Sequence, residues 1–329
     1  MLTMGIVGLG RWGQRLVDAV QGPAAPPSER LRFVAGTNRS PEKAADFCSA
    51  RGLRHQRSLD DLPADPAVDA VALATPHSRH AEQIAAALAA GKHVFCEKPL
   101  TMSLADAREA YAAADAAGRL LCVGFNRRFL PAYRAIHEAV FGGDLGTVLH
   151  VEGNFSGNFG LGYGTDSWRA ADGEAPAGGL TLMGIHVLDL MVDLMGPVET
   201  AFCDSRRHVL TIPFDDTTQI DLRFRSGLGG YISTLTATPR LFRLQVFGTQ
   251  GWLHLRDHHL LDASDTAGGS TTRTFEPVDI ERAELEAFAR AVTGEADYPV
   301  TAAQAVHVVA AAEAIIHSAE TGGSEVRVP

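Results

Sequence analysis

The spacing of hydrophobic residues along the chain changes near residue 125. Before this point, short continuous apolar runs alternate with segments of 10–15 residues in which apolar residues recur at helical spacing. This alternation is typical of buried parallel strands connected by helices. After this point, apolar and polar residues alternate at period two, which indicates mostly antiparallel strands with one covered face. The apolar runs are 2–7, 31–35, 68–74, 94–96 and 120–123, and the alternating segments are 148–155, 218–224, 230–236 and 241–247.

These patterns predict an α/β protein built from two domains, and a length of 329 residues allows both. Residues 1–125 are expected to form a doubly wound parallel sheet. Residues 126–329 are expected to form an α+β domain with a large, open, mostly antiparallel sheet. The last predicted helix, 302–319, is apolar on more than one face, so it must pack on other elements and could lie back between the domains.

Composition and charge exclude several classes of partner. The chain has 29 basic and 39 acidic residues, a net charge of −10 and no basic run, which argues against nucleic acid and anionic membranes. The chain starts with a strand pattern, without a charged leader, and no uninterrupted apolar run reaches about 18 residues. The four cysteines (48, 96, 122 and 203) are far apart and show no metal-ligand spacing. We therefore expect a cytoplasmic protein from a reducing compartment, without a metal site.

The first strand runs into a glycine-rich turn, Gly8-Leu9-Gly10-Arg11-Trp12-Gly13, and a helical pattern follows. In a G-x-G-x-x-G turn, the first glycine allows the tight turn and the second lets a pyrophosphate approach the backbone. The third allows close packing of the helix, whose first N–H groups bind the anion. Between a strand and a helix, this motif favours a dinucleotide site over a chance glycine-rich loop.

The residues after the second strand bear on the choice of cofactor. NAD-binding folds usually have an acidic residue here for the ribose diol, but this chain has Asn38-Arg39-Ser40. An arginine beside small polar side chains would accept a 2′-phosphate, which a carboxylate would repel. The pattern predicts NADP(H) as the preferred cofactor, with NAD(H) possible. A second interpretation, compatible with the first, is that Ser40 and Pro41 start the next helix as N-cap and first residue.

A lysine follows the buried run 94–96, in the sequence Glu97-Lys98-Pro99. Ligands of open α/β sheets bind at the carboxyl ends of the strands, and a following proline restricts Lys98 to extended geometry. Lys98 is therefore a candidate catalytic residue. An ordinary turn with solvated charges at the end of a strand is the alternative.

The almost wholly apolar helix predicted over 180–195 carries two polar side chains on one face. His186 and Asp189 are three residues apart, so Asp189 could hold one ring nitrogen while the other faces a substrate. A core histidine with no catalytic role is the alternative. The preceding stretch, 157–179, has seven glycines and no helix or strand pattern, which is typical of an active-site wall or lid.

Several of these segments, taken together, resemble the Gfo/Idh/MocA family of NAD(P)-dependent oxidoreductases, named after glucose–fructose oxidoreductase, inositol dehydrogenase and a rhizopine-catabolism protein. Glu97-Lys98-Pro99 combined with Gly184-Ile-His186-x-x-Asp189 is the most specific part of the resemblance. The motifs that carry it cover nearly the whole chain and are 8–13, 74–80, 90–99, 124–129, 168–169, 178–189 and 246–251.

The resemblance implies a nicotinamide cofactor and a role for individual residues. Lys98 would lie beside the nicotinamide and the substrate, and His186 would transfer the proton. The expected cofactor site comprises Gly8, Gly10, Arg11, Trp12, Gly13, Asn38, Arg39, Ser40, Ala74, Thr75, Pro76, His77, His80, Glu97, Lys98, Asn126, Trp168 and Arg169. The expected substrate site comprises Lys98, Asn126, Arg127, Trp168, His186 and Asp189. The open face of the second sheet would be the interface of a homodimer or homotetramer.

One position departs from the family pattern. Sugar and cyclitol dehydrogenases of the family often carry an aspartate four residues before the histidine, where this chain has Leu182. A lysine–aspartate–histidine relay therefore does not carry over intact. Either His186 works with Lys98 alone, or the proton comes from the substrate side, water or the glycine-rich loop.

The sequence thus predicts an enzyme, an NADP(H)-dependent oxidoreductase that moves hydride between nicotinamide and a secondary alcohol or ketone carbon. The expected substrate is a sugar, deoxysugar or cyclitol. Two other functions stay open: a redox-neutral glycosidase or epimerase that retains its NAD, and a non-catalytic dinucleotide-sensing regulator. Such a regulator would have lost the lysine or the histidine, and this chain has both.

Overall fold

The computed structural model describes residues 1–56, 61–164, 167–168 and 173–329. The chain divides into two compact units, one made of Met1–Asn126 with Asp279–Ala302 and the other of Arg127–Val278 with Ala303–Pro329. The predicted second domain contained everything after residue 125. In the structure, the segment 279–302 returns to the first unit instead.

The first unit is organised around a parallel sheet. Its strands are β1 (Leu2–Val7), β2 (Leu31–Thr37), β3 (Arg54–Gln56), β4 (Ala70–Leu73), β5 (His93–Glu97) and β6 (Leu121–Gly124). Within the described residues these six strands lie in the order β3-β2-β1-β4-β5-β6, and every pair is parallel. The chain order reverses between β1 and β4. In doubly wound sheets this switch point opens the crevice that binds the ligand.

The helices of the first unit are α1 (Arg11–Gln21), α2 (Ala45–Arg51), α3 (Asp61–Ala64), α4 (His80–Ala89), α5 (Leu104–Ala117) and α8 (Ile280–Val292). Local sequence sets the ends of α5, because the Ser103 side chain accepts a hydrogen bond from the Asp106 N–H and Gly118 ends the helix with φ +61°. Helix α8 joins this unit through tertiary contacts. Phe288 packs edge-on against Phe95, with 5.7 Å between ring centroids.

The second unit is organised around a larger sheet. Its strands are β7 (Val148–Ser156), β8 (Val198–Arg206), β9 (Thr217–Phe224), β10 (Gly229–Leu235), β11 (Leu241–Gly248), β12 (Gly251–Arg256), β13 (Leu260–Asp265), β14 (Ser270–Thr274) and β15 (Val326–Arg327). Within the described residues the order is β14-β13-β12-β11-β7-β10-β9-β8-β15, and only the β7–β10 pair is parallel. The predicted fold class, a doubly wound parallel sheet with a mostly antiparallel second sheet, is confirmed.

Alternation along the strands explains why one face of this sheet is covered. In β9, Ile220, Leu222 and Phe224 are buried, whereas the residues between them are exposed. Strand β8 was not predicted, because its register shifts between Val198 and Thr200 and the alternation is interrupted there.

The helices of the second unit are α6 (Pro131–Gly142), α7 (Ile185–Met195) and α9 (Ala302–Glu320). The helix predicted over 180–195 begins with a turn of π-helix, Leu180–Gly184, and continues as α7. By length and mean hydropathy, 1.2, α9 could cross a membrane, but half of that window is buried and core helices share these properties. The His307 ring and the Ser318 hydroxyl of α9 accept hydrogen bonds from backbone N–H groups of β8 at 2.8 Å. Helix α9 is therefore tied to the sheet of its own unit.

Candidate active site

The glycine turn after β1 is compact for a steric reason. Gly8 has φ +99°, and a Cβ there would lie 2.5 Å from the carbonyl oxygen of Ala74. A Cβ on Gly13 would lie 1.9 Å from the carbonyl oxygen of Gly8. Side chains at these two positions would push α1 and the turn after β4 away from the turn after β1. As predicted, Gly8 allows the tight turn and Gly13 allows close packing of α1.

The second glycine of the motif faces open space. Among the described residues, no atom outside its chain neighbours lies within 4 Å of a Cβ built on Gly10. Gly10 precedes α1, and no described side chain caps this helix or places an acid in its first turn. The first N–H groups of α1 can therefore bind an anion, and the missing Cβ leaves room for it. This geometry fits the pyrophosphate of a dinucleotide.

The turn after β2 presents a cation. Thr37 is fully buried, whereas Arg39 is exposed and Asn38 and Ser40 are half-buried. Ser40 precedes a 3-10 turn, Pro41–Lys43, and α2 starts only at Ala45. The interpretation of Ser40 as an α-helix N-cap is therefore wrong in detail, because a 3-10 turn intervenes. This edge of the sheet carries Arg39 where NAD sites usually carry a carboxylate.

A histidine-containing turn follows β4. His77 and His80 are buried, with ring centroids 6.1 Å apart. The Nδ1 of His80 lies 2.8 Å from the carbonyl oxygen of Pro99, and its Nε2 lies 3.2 Å from that of Thr75. Both carbonyl oxygens are acceptors, so a neutral imidazole, which has one N–H, donates to one of them at a time. The ring lies between the turn after β4 and the turn after β5. The contact of His80 with a cofactor stays a prediction, as do those of Ala74, Thr75, Pro76 and His77.

Lys98 lies at the carboxyl end of β5, half-buried, and its bond to Pro99 is cis. The backbone N–H of Lys98 donates to the Glu97 carboxylate at 3.3 Å. Burial raises the pKa of Glu97 to about 7, against the opposing effects of the Trp12 indole N–H and the Lys98 charge. Trp12, Glu97 and Lys98 thus come together at the edge of the sheet where the glycine turn lies.

Asn126 has a partner that sequence reasoning missed. Its amide donates to Glu281 of α8 at 3.1 Å, and Arg15 of α1 donates to the other oxygen of Glu281 at 2.7 Å. Glu281 therefore joins the end of the parallel sheet to α1. No local spacing in the sequence indicated it, because it comes 155 residues after Asn126.

His186 lies in the first turn of α7 and is buried. Its ring is 6.0 Å from the ring of Phe155, which is buried near the end of β7. The guanidinium carbon of Arg127 is 5.0 Å from the centroid of the same Phe155 ring. Phe155 therefore brings Arg127 and His186, two predicted substrate residues, into one neighbourhood. The alternating pattern of β7 placed Phe155 in a strand but indicated no role for it.

Asp189 is held by Arg128, a residue that the predicted site did not include. Nε and Nη2 of Arg128 donate to both carboxylate oxygens of Asp189 at 2.6–3.1 Å, and both side chains are buried. Nη1 of Arg128 donates to Asp193 at 2.8 Å. Burial raises the pKa of Asp189 to about 6, although Arg128 opposes the shift. Asp189 thus anchors α7 in the core through Arg128, and its contact with a substrate stays a prediction.

Leu182, the position that departs from the family pattern, packs in an apolar cluster. It is buried with Ile212 and Phe214, against half-buried neighbours that include Tyr163 and Met183. Hydrophobic packing therefore takes the place of the missing aspartate. Trp168 is half-buried, and Arg169, predicted beside it, lies outside the described residues.

Comparison with known families decides the assignment. The family model described as "Oxidoreductase family, NAD-binding Rossmann fold" matches residues 2–125, and the GFO/IDH/MocA C-terminal domain model matches residues 133–254. The chain belongs to the Gfo/Idh/MocA family. The predicted resemblance is confirmed, and the protein is an oxidoreductase whose first unit is a dinucleotide-binding Rossmann domain.

Individual known proteins also match over most of their length. 1,5-anhydro-D-fructose reductase from Ensifer adhaerens is 29% identical, over 88% of this chain and 89% of that protein. D-xylose 1-dehydrogenase (NADP(+)) 2 from Haloferax volcanii is 30% identical, over 98% of this chain and 99% of that protein. The crystal structure of a candidate NADPH-dependent oxidoreductase from Desulfitobacterium hafniense superposes with a TM-score of 0.91. It is 26% identical and covers 99% of this chain and 97% of its own.

Proposed function

We propose that this Gfo/Idh/MocA protein is a cytoplasmic, NADP(H)-dependent dehydrogenase or reductase of a sugar, deoxysugar or cyclitol. The observation that carries the proposal is the position of Lys98, at the sheet edge where the Gly8–Gly13 turn leaves room for a pyrophosphate. The names of the two curated relatives, an anhydrofructose reductase and a xylose dehydrogenase, support a carbohydrate substrate. The four cysteines are free and buried, as in proteins of reducing compartments.

Each catalytic residue has a defined role in this proposal. A bound nicotinamide supplies or accepts the hydride. Lys98 donates a hydrogen bond to the substrate oxygen and stabilises the negative charge that develops there. His186 takes the hydroxyl proton when the alcohol is oxidised and returns it when the ketone is reduced.

Two substitutions test these roles. Lys98→Met and His186→Ala should leave NADPH binding intact and cut turnover, by about 10²–10⁴-fold for His186→Ala. Lys98→Met should cost at least as much, because it also removes the charge that stabilises the oxyanion. The pH profile of kcat/KM should lose one limb in His186→Ala, because that limb reports the protonation of the general base.

Lys92→Met is the matched control. Lys92 precedes β5 and donates to the carbonyls of Asp65 and Val68, at the amino ends of the strands and therefore away from Lys98. This variant should retain turnover. Near-normal turnover in His186→Ala would show that His186 is a core histidine without a catalytic role.

The cofactor preference rests on Arg39. NADPH should bind more tightly than NADH, and Arg39→Ala should narrow the gap by about 1.5–3 kcal/mol, the range for a hydrogen bond to a charged group. Fluorescence titration with both nucleotides measures this difference. Arg32→Ala, on an exposed residue of the same strand, is the control. Equal affinities for the two nucleotides, or a ratio unchanged in Arg39→Ala, would contradict the assignment.

The open face of the second sheet is the proposed interface of a homodimer or homotetramer. Phe202 of β8 is 36% exposed on this face, and Tyr231 and Phe247 lie half-buried on it. Aromatic side chains in such positions are typical of interface cores. Light scattering of the wild type and of Phe247→Glu tests the proposal. A wild-type monomer, or an assembly that Phe247→Glu leaves intact, would contradict it.

A further inference from the structure

One end of the second sheet collects cationic and imidazole side chains around Phe155. Phe155 lies near the carboxyl end of β7, where the glycine-rich stretch 157–179 begins. The Arg127 guanidinium lies 5.0 Å from its ring centroid, and the His186 ring lies at 6.0 Å. The His258 ring lies at 6.5 Å and meets the Phe155 ring edge-on.

His258 links this group to a second arginine. It lies in the turn between β12 and β13, with its ring 5.0 Å from that of Phe242. Arg240, exposed just before β11, has its Nη2 3.2 Å from His258 Nε2. The strand register places this turn, the start of β11 and the end of β7 at the same end of the sheet. Arg240 therefore lies beside His258, and His258 and His186 both lie beside the Phe155 ring.

The charges of Arg127 and Arg240 both disfavour protonation of His258. Burial lowers the pKa of His258 to about 4, and the charges of Arg127 and Arg240 contribute to the shift. Asp257 opposes the shift and His259 adds to it. His258 is thus a neutral imidazole at pH 7, able to accept from Arg240 or to donate to an anion. An anion bound beside His258 would be attracted by the charges of both guanidinium groups.

We infer that Arg127, Arg240 and His258 form an anion subsite beside His186 and that the substrate carries a carboxylate or phosphate group. Guanidinium groups match the planar oxygens of a carboxylate and the oxygens of a phosphate through paired N–H donors. The His258 ring adds a neutral donor that the same anion can share. This inference rests on the proposed carbohydrate oxidoreductase function and narrows its substrate to acidic sugars: uronates, or sugar phosphates.

The test compares D-glucuronate, D-glucose 6-phosphate and D-glucose on the full-length enzyme, first by ligand-observed NMR binding and then by turnover with NADP(H). At least one anionic sugar should bind on the order of 10- to 100-fold more tightly than D-glucose, and this advantage should weaken as salt is added. Tighter binding of glucuronate would identify the anionic group of the substrate as a carboxylate, and tighter binding of glucose 6-phosphate would identify it as a phosphate. Equal binding of all three sugars would overturn the subsite.

Arg240→Met should remove the advantage of the anionic sugar and Arg240→Lys should restore part of it. Arg273→Met is the matched control, because Arg273 is an exposed arginine of β14 that stacks on Phe275 at 4.6 Å. It should bind all three sugars as the wild type does. An advantage that survives in Arg240→Met would overturn the subsite.

The two proposals can fail separately. Turnover of D-glucose without any preference for charge would refute the anion subsite and leave the proposed oxidoreductase function standing. Binding of glucuronate that depends on Arg240, without turnover of any sugar, would support the subsite and count against the proposed reaction. Binding of none of the three sugars would overturn the subsite.

Discussion

Replacing Arg128 by methionine should destabilise the second unit more than any surface change. Arg128 donates three hydrogen bonds to Asp189, one to Asp193 at 2.8 Å and one to Gln304 at 3.0 Å. Arg128 is 4% exposed and Asp189 is not exposed at all, so water cannot replace the lost donors. Breaking a buried pair by removing one partner costs about 3–5 kcal/mol, because it leaves an uncompensated charge. We expect Arg128→Met to lower the free energy of unfolding by this amount.

The difference in the free energy of unfolding between wild type and Arg128→Met should depend on pH. Burial already raises the pKa of Asp189 to about 6 in the wild type, above the unfolded value of about 3.9. A folded pKa above the unfolded one gives stability that is fully present at low pH and lost as pH rises through the folded pKa. Without Arg128, the pKa of Asp189 rises further. The wild-type contribution levels off above about pH 6, while the variant should keep losing up to about 1.4 kcal/mol per pH unit.

Urea unfolding at pH 6, 7 and 8, followed by tryptophan fluorescence, measures the difference between wild type and Arg128→Met. Arg134→Met is the control, because Arg134 is exposed and stacks on Phe129 at 5.7 Å, and it should cost less than about 1 kcal/mol. Adding Asp189→Asn to Arg128→Met should remove the extra slope, since no titrating carboxyl is left at that position. An unfolding midpoint equal to wild type, or a difference that does not grow between pH 6 and 8, would refute the reasoning.

Three further predictions concern other parts of the chain. Gly8→Ala should abolish NADPH binding, because its Cβ would clash with Ala74 in the turn after β4. Gly52→Ala is the control: Gly52 has φ +67° but no described neighbour within 4 Å of its Cβ position, so this change should only lower the melting temperature. Equal affinities of wild type and Gly8→Ala for NADPH, measured by titration, would contradict the prediction. Leu182→Asp should lower the melting temperature, because it buries a carboxylate in an apolar cluster. It should also move the acid limb of the kcat/KM pH profile to higher pH, because the carboxylate stabilises the His186 imidazolium. A limb that does not move would argue against a role for position 182 in proton transfer. Truncation after residue 300 removes α9, and the shortened protein should aggregate in size-exclusion chromatography. A protein truncated after residue 320 keeps α9 and should stay soluble. A monomeric 1–300 chain that folds cooperatively would show that α9 is peripheral.

Local sequence patterns predicted the elements that depend on neighbouring residues. Continuous apolar runs predicted five of the six described parallel strands, because both faces of those strands are buried; β3, which is polar and partly exposed, was not predicted. Period-two alternation predicted strands such as β9, in which only one face is buried. The glycine turn was also predictable, because the steric limits at Gly8 and Gly13 come from a short strand–turn–helix unit. Lys98 could be placed at the end of β5 for the same reason, since the apolar run and the proline after it are local signals.

Contacts between residues that are distant in the chain could not be predicted, because they depend on how the elements pack. Helix α8 belongs to the first unit because Phe288 packs against Phe95 and Glu281 pairs with Arg15. Asp189 was expected to orient His186, and its carboxylate instead accepts three hydrogen bonds from Arg128, 61 residues earlier. Spacing along a helix predicts which side chains share a face, but not which charged side chain from another element packs against that face. A buried carboxylate takes the strongest donor that packing brings to it, and packing is a property of the whole fold.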